Sequence, residues 1–150
     1  MYINAEDYMK SIQEVKESVD NKRRQLKVLQ NEISITAINY NIDKIRSSPN
    51  HDRLEKQVLD NIDKRENLQY KIEEEITDML ERQETAVNII NMLDNKEQRD
   101  VLMLRYIECK SWAEILEIRG CDDIRSQYKL HQRALNALQN IINDHSMTTT

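Results

Sequence analysis

The chain is predicted to be all-α, with a long antiparallel, coiled-coil-like helical hairpin followed by a small helix-turn-helix domain. Three observations predict this. The composition holds one Gly, one Pro and no Phe in 150 residues, with 33% charged residues. Such a chain is poor in turns and rich in helix formers, which favours few, long helices over any sheet. An apolar heptad repeat runs through its first third. The only glycine, Gly120, falls between a very short and a longer amphipathic segment within Glu97–Leu138, which is the layout of a helix-turn-helix. The expected organisation is a hairpin over residues 1–93 with its turn at 46–52, a helix-turn-helix domain over 94–142 and a flexible tail over 143–150.

The first helix is expected from about Ala5 to Ile45. After Tyr8, the residues Ile12, Val15, Val19, Lys22, Leu26, Leu29, Ile33, Thr36 and Tyr40 alternate at spacings of three and four. Lys22 and Thr36 are the polar members of this seam, and Glu14, Lys16, Glu17 and Arg23 flank it. A helix of this length spans roughly 60 Å. The only proline follows in RSSPNHD (residues 46–52), where Ser, Pro and Asn stop the helix, and Asn50 or Asp52 can cap the next. The second helix is expected from about Arg53 to Met92, with Leu54, Val58, Ile62, Leu68, Ile72, Ile76, Met79, Leu80, Val87 and Ile90 apolar. Arg65 and Gln83 interrupt that stripe. A short connection between two helices of similar length favours an antiparallel hairpin in which each covers the other's seam. The alternative pairs the first helix with its own copy in a dimer, and both hold if the hairpins associate.

Leu93-Asp94-Asn95 breaks the second helix, and Asn95 with Gln98 outlines a capping box. A third helix is expected from Lys96 to about Glu108, with Val101, Leu102, Leu104 and Tyr106 on its inner face. Ser111 with Glu114 caps a fourth, Trp112–Ile118. Gly120 can turn the chain with positive φ. Asp122 or Asp123 caps the last helix, which runs to about Ile142 before the frayed HSMTTT tail.

The net charge is −5, which taken alone opposes nucleic-acid binding, because phosphate contacts need Lys and Arg. The distribution reverses the inference. Residues 1–95 hold 14 Lys and Arg against 19 Asp and Glu, and residues 96–140 hold 8 against 7. Within Ile124–Ile142 stand Arg125, Lys129 and Arg133 and no acid. Cys109 and Cys121 form no CxxC pair and read as reduced, half-buried thiols of a cytosolic protein. No apolar run is long enough for a signal peptide or membrane span, so the expected location is the cytoplasm of a bacterial host. His51, His131 and His145 have no metal-ligand spacing. His131 has no acid or thiol at helical spacing with which to build a triad, and there is no Gly-rich phosphate loop. Neither catalysis, a metal nor a cofactor is expected.

RYIECKSWAEI followed by YKLHQRALNAL resembles the C-terminal half of a group of small phage and prophage proteins, a half that in turn resembles region four of sigma-70-type sigma factors. INAEDYMKSI, SSPNHDRLEKQV and VLMLRYIECKSW extend the resemblance over nearly the whole chain. Leu104, Arg105 and Tyr106 match the end of the helix before the motif. Trp112, Glu114 and Ile115 match its first helix. Tyr128, Leu130, His131, Arg133, Ala134 and Leu135 match the end of its recognition helix. The chain departs from the pattern at several positions. Gln132 stands for a Gly, Leu116 for a small residue and Arg119 for an apolar one. CDDIRSQ is one residue longer, and Gln127 occupies a position where a β-branched residue packs under the recognition helix. The resemblance implies a sigma-like helix-turn-helix that binds promoter DNA and sits on RNA polymerase.

A recognition helix places its N-terminal turns in the major groove, where Arg reads guanine and Gln reads adenine. Arg125, Ser126, Gln127 and Lys129 are the candidate base-reading residues, and Lys110, Arg119 and Arg133 the candidate phosphate contacts. Asp122 and Asp123, at the same end, are compatible with DNA only as caps. Trp112 is expected to anchor the motif helices, and His131 to be packed or hydrogen-bonded. The expected function is phage or prophage transcription regulation through double-stranded DNA, RNA polymerase or both, with homodimerisation through the hairpin. The alternative is a non-enzymatic adaptor or inhibitor whose acidic hairpin grips a host or phage protein and whose helix-turn-helix is degenerate.

Overall fold

The computed structural model describes residues 3–45 and 51–148. Its elements are α1 (Ala5–Ile45), α2 (His51–Ile90), α3 (Lys96–Leu102), a π-helical turn (Met103–Ile107), α4 (Trp112–Arg119) and α5 (Ile124–Thr148). No strand occurs among the described residues, as the composition requires. Most of the turn expected at 46–52 lies outside the described residues. α2 begins at His51, so Asp52 falls inside the helix, and Asn50 lies outside the described residues. At the other end, α5 continues past the expected Ile142 to Thr148.

The chain forms two compact units, and their boundary is not at Leu93. One contains the residues up to Ser18 and those from Met79 onward, and the other is Val19–Asp78. The start of α1, to Ser18, and the end of α2, from Met79, therefore belong with the C-terminal helices. The reason lies in the side chains. Ala5 and Met9 of α1, Ile90 at the end of α2, Leu93 just after it, Val101, Leu102 and Tyr106, Ile115 of α4, and Ala134, Leu135 and Leu138 of α5 form one buried cluster.

Polar contacts fasten this unit. The Asn4 side chain caps α1 by accepting from the Glu6 and Asp7 amides at 2.8 and 3.2 Å. Gln139 of α5 accepts from the Ala5 amide at 2.7 Å and donates to the Ile3 carbonyl at 2.8 Å. Gln13 and Lys16 of α1 donate to the carbonyls of Arg105 and Glu108, each at 3.1 Å.

In the Val19–Asp78 unit, the seam read in α1 faces inward. Val19 and Leu29 are buried, and Lys22, Leu26, Ile33, Thr36 and Tyr40 are half-buried. On α2, the shielded positions are Glu55, Val58, Ile62, Arg65, Gln69, Ile72 and Ile76, an unbroken three-four repeat, while Leu54 and Leu68 are 39% and 49% exposed. Arg65 therefore occupies the seam rather than interrupting it, and the two leucines flank it. Polar seam residues meet polar partners. Lys22 Nζ lies 2.6 Å from a Glu75 carboxylate oxygen, and Arg65 donates to the Thr36 hydroxyl at 2.5 Å and lies 3.8 Å from Glu32. Glu55 accepts a hydrogen bond from Tyr40, which raises the phenol's pKa. The partners ascend along α1 as they descend along α2, so these segments run antiparallel.

Candidate nucleic-acid interface

The local signals around the motif operate where the sequence placed them. Asn95 accepts from the Gln98 amide at 3.1 Å and starts α3. Ser111 accepts from the Glu114 amide and donates to its carboxylate, both at 3.2 Å, and starts α4. Gly120 ends α4 at φ 64°, ψ 36°, a left-handed conformation in which a side chain is strained. Asp123, not Asp122, caps α5 by accepting from the Arg125 amide at 3.0 Å.

The end of the third helix was not foreseen. An α-helix to Glu108 was expected, but the last turn widens, and the Glu108 amide bonds the Met103 carbonyl at 2.9 Å. Cys109 then adopts φ 57°, and the Lys110 amide bonds the Leu104 carbonyl at 2.9 Å. The helix thus stops at a left-handed residue that is not glycine.

An aromatic cluster sets the orientation of α5. Trp112 packs edge-on against Tyr128 and His131, with ring centroids 4.8 and 5.1 Å apart. The Arg105 guanidinium lies 5.1 Å from the Trp112 ring centre and donates to the Lys110 carbonyl at 3.1 Å. Tyr106 Oη and His131 Nε2 are 2.7 Å apart. Burial is the main cause of both pKa shifts there. It pushes the Tyr106 phenol up to about 12 and lowers His131, with Arg105 lowering His131 further. Neutral imidazole is the favoured form in this setting, and Trp112 takes the anchoring place expected of it.

With α5 held this way, Ala134, Leu135 and Leu138 face the core. Arg125, Ser126, Lys129 and Arg133 are exposed, as are Gln132 and Asn136. Arg125, Lys129 and Arg133 follow one another at four-residue spacing along a single ridge. Gln132 and Asn136, at three-four spacing from Lys129, extend the outward stripe.

Two of the expected contacts require correction. Gln127 is only 5% exposed, and its Oε1 is buried with no hydrogen-bond partner. It points into the protein and cannot read a base edge, and its place is the packing position that the sequence comparison had also indicated. The Arg119 side chain is 15% exposed, lies 3.9 Å from Asp100 and has a buried, unpartnered Nε. It is an internal cation of this unit, not a phosphate contact. Lys110 is half-exposed and lies 3.9 Å from Glu114. Asp122 and Asp123 are exposed at the start of α5.

Among the described residues, no three His, Cys, Asp or Glu side chains are grouped to hold a metal ion, and no helix is long and apolar enough to cross a membrane. Cys109 and Cys121 are half-buried, and neither is in a disulfide. No family profile matches the chain, and no curated protein or solved structure is detectably similar to it.

Proposed function

We propose that this protein is a transcription regulator of a phage or prophage, acting in the bacterial cytoplasm. In this reading α3 to α5 form a sigma region-four-like helix-turn-helix, carried on a helical hairpin made by α1 and α2. The observation that carries the proposal is the exposed ridge Arg125–Lys129–Arg133 on α5, without an acid between Ile124 and Ile142. It follows a Ser111-capped helix and a left-handed glycine turn. Ser126 lies beside the ridge on the first turn, within reach of a base edge or phosphate. Arg125 and Lys129, on the first two turns, are the leading base and phosphate contacts, and Arg133 and Lys110 fix the register. RNA polymerase is the proposed protein partner, and no catalysis is involved.

A second reading is a protein-interaction module with a degenerate helix-turn-helix. The inward Gln127 and Arg119 favour it, because they remove two contacts from the DNA-facing set, and so do the exposed Asp122 and Asp123. An electrophoretic shift with promoter DNA from the protein's own genetic element, with and without RNA polymerase, separates the two. The regulator reading expects a shift that Arg125→Glu with Lys129→Glu abolishes. Absence of any shift at low salt, with polymerase present, would leave the interaction module standing alone.

A further inference from the structure

We propose that the Val19–Asp78 unit binds a second copy of this chain across the α1 ridge Arg24–Val28–Glu32, with a two-fold axis at Val28. The first argument is the thinness of the unit's core. Among its described residues only Val19, Leu29 and Ile72 are buried, whereas long helices draw most of their stability from packing an apolar face. Units with so little interior commonly gain it by association.

The missing cover has a defined place. Val28 and Ile35, one heptad apart on α1, are each 58% exposed, and Leu68 on α2 is 49% exposed. Val28 and Leu68 line a groove of about 550 Å³ whose other apolar walls are Leu29 and Ile72. The opposite flank of α1 presents exposed Arg23, Lys27 and Gln30 over the same turns, with Ile38 as an exposed apolar residue farther along.

Charge selects the occupant. Arg24, Val28 and Glu32 all line the groove and stand at four-residue spacing, a cation and an anion placed symmetrically about an apolar centre, and Glu32, 3.8 Å from Arg65 of its own chain, keeps a half-exposed carboxylate for a second cation. A two-fold rotation at Val28 brings each Arg24 opposite the other copy's Glu32 and stacks the two valines, the self-complementarity an isologous interface requires. Lys71 and Glu75 also line the rim, Glu75 being paired with Lys22 of its own chain. The unit as a whole holds eleven Lys and Arg against twelve Asp and Glu, so net repulsion between copies is small even though the chain carries −5.

Sedimentation equilibrium of the full chain tests this. At a concentration of about 50 µM the expected particle has twice the 17.9 kDa chain mass. Arg24→Glu should weaken association at least about tenfold, and Arg24→Glu combined with Glu32→Arg should restore it, since the swap returns an opposite charge to each pair. A crosslinking arm reverses no charge on the ridge. In a Cys109→Ser, Cys121→Ser background, Val28→Cys should be joined into covalent dimers by a short bismaleimide, and Lys27→Cys should not. A monomer at every concentration overturns the proposal, and so does a dimer indifferent to Arg24→Glu or equal crosslinking at the two positions. No DNA enters these measurements, so their failure leaves the DNA-binding reading intact, and the reverse holds.

Discussion

The two compact units are built from the same two long helices, yet they are stabilised differently. The unit that contains α3 to α5 concentrates large apolar side chains. Met9, Ile12, Ile90, Leu102, Ile115 and Leu138 all have no measurable exposure. The Val19–Asp78 unit buries only Val19, Leu29 and Ile72 among its described residues, leaves Val28, Leu54, Leu59 and Leu68 exposed, and joins its helices through Lys22–Glu75, Arg65–Thr36 and Tyr40–Glu55. A dense apolar core fixes the outward face of α5, as a surface that must present charges in a set geometry requires. A thin seam with polar layers fixes pairing register at a cost in stability and leaves apolar flank free for a partner.

The largest expected effect separates the units directly. Leu102→Ala or Met9→Ala should destabilise the protein by about 2–5 kcal/mol, because a filled interior leaves a cavity. Leu29→Ala should fall at or below the bottom of that range, since its surroundings are open to water and can relax. Urea denaturation of the three variants gives the order, and equal losses would break the comparison.

Gln127→Leu sharpens it from the other side. The substitution removes a buried amide oxygen that has no partner, so it should stabilise the fold by about 1 kcal/mol and leave DNA affinity unchanged. A loss of affinity without a loss of stability would return Gln127 to the DNA-facing set.

A smaller effect follows from His131. Its folded pKa lies below the ordinary value, principally through burial, so the unfolded chain takes up the proton first. The associated stability is complete above about pH 6.5 and is lost as the pH falls toward the folded pKa. Wild-type stability should therefore drop more between about pH 7.5 and about pH 5.5 than that of His131→Gln. Equal drops in urea titrations would show that the imidazole is not held neutral.

Much of this was legible in the sequence. The α1 seam could be read because the three-four spacing runs unbroken from Ile12 to Tyr40 with only Lys22 and Thr36 polar before its last residue, and the caps at Asn95, Ser111 and Asp123 are short-range signals between neighbours. The register of α2 was not legible. Its seam carries Arg65 and Gln69, while Leu54 and Leu68 lie beside it, so hydrophobicity and burial point to different faces. The end of the third helix was hidden because Cys109 supplies the left-handed residue where glycine is the usual marker. For Gln127 and Arg119 residue type suggested DNA contact, but packing against neighbours distant in sequence turned both inward. The unit boundary depends on Ala5 and Met9 meeting Leu138, a long-range pairing that local periodicity does not encode.

The central claim is that the outward ridge of α5 meets phosphate. The most direct test is the salt dependence of binding to promoter DNA, for the wild type and for Arg125→Gln, Lys129→Gln, Arg133→Gln combined. The logarithm of affinity should fall linearly with the logarithm of salt concentration, and the triple variant should lower the slope by about three. A wild-type affinity indifferent to salt, or a slope the triple variant leaves unchanged, would contradict it.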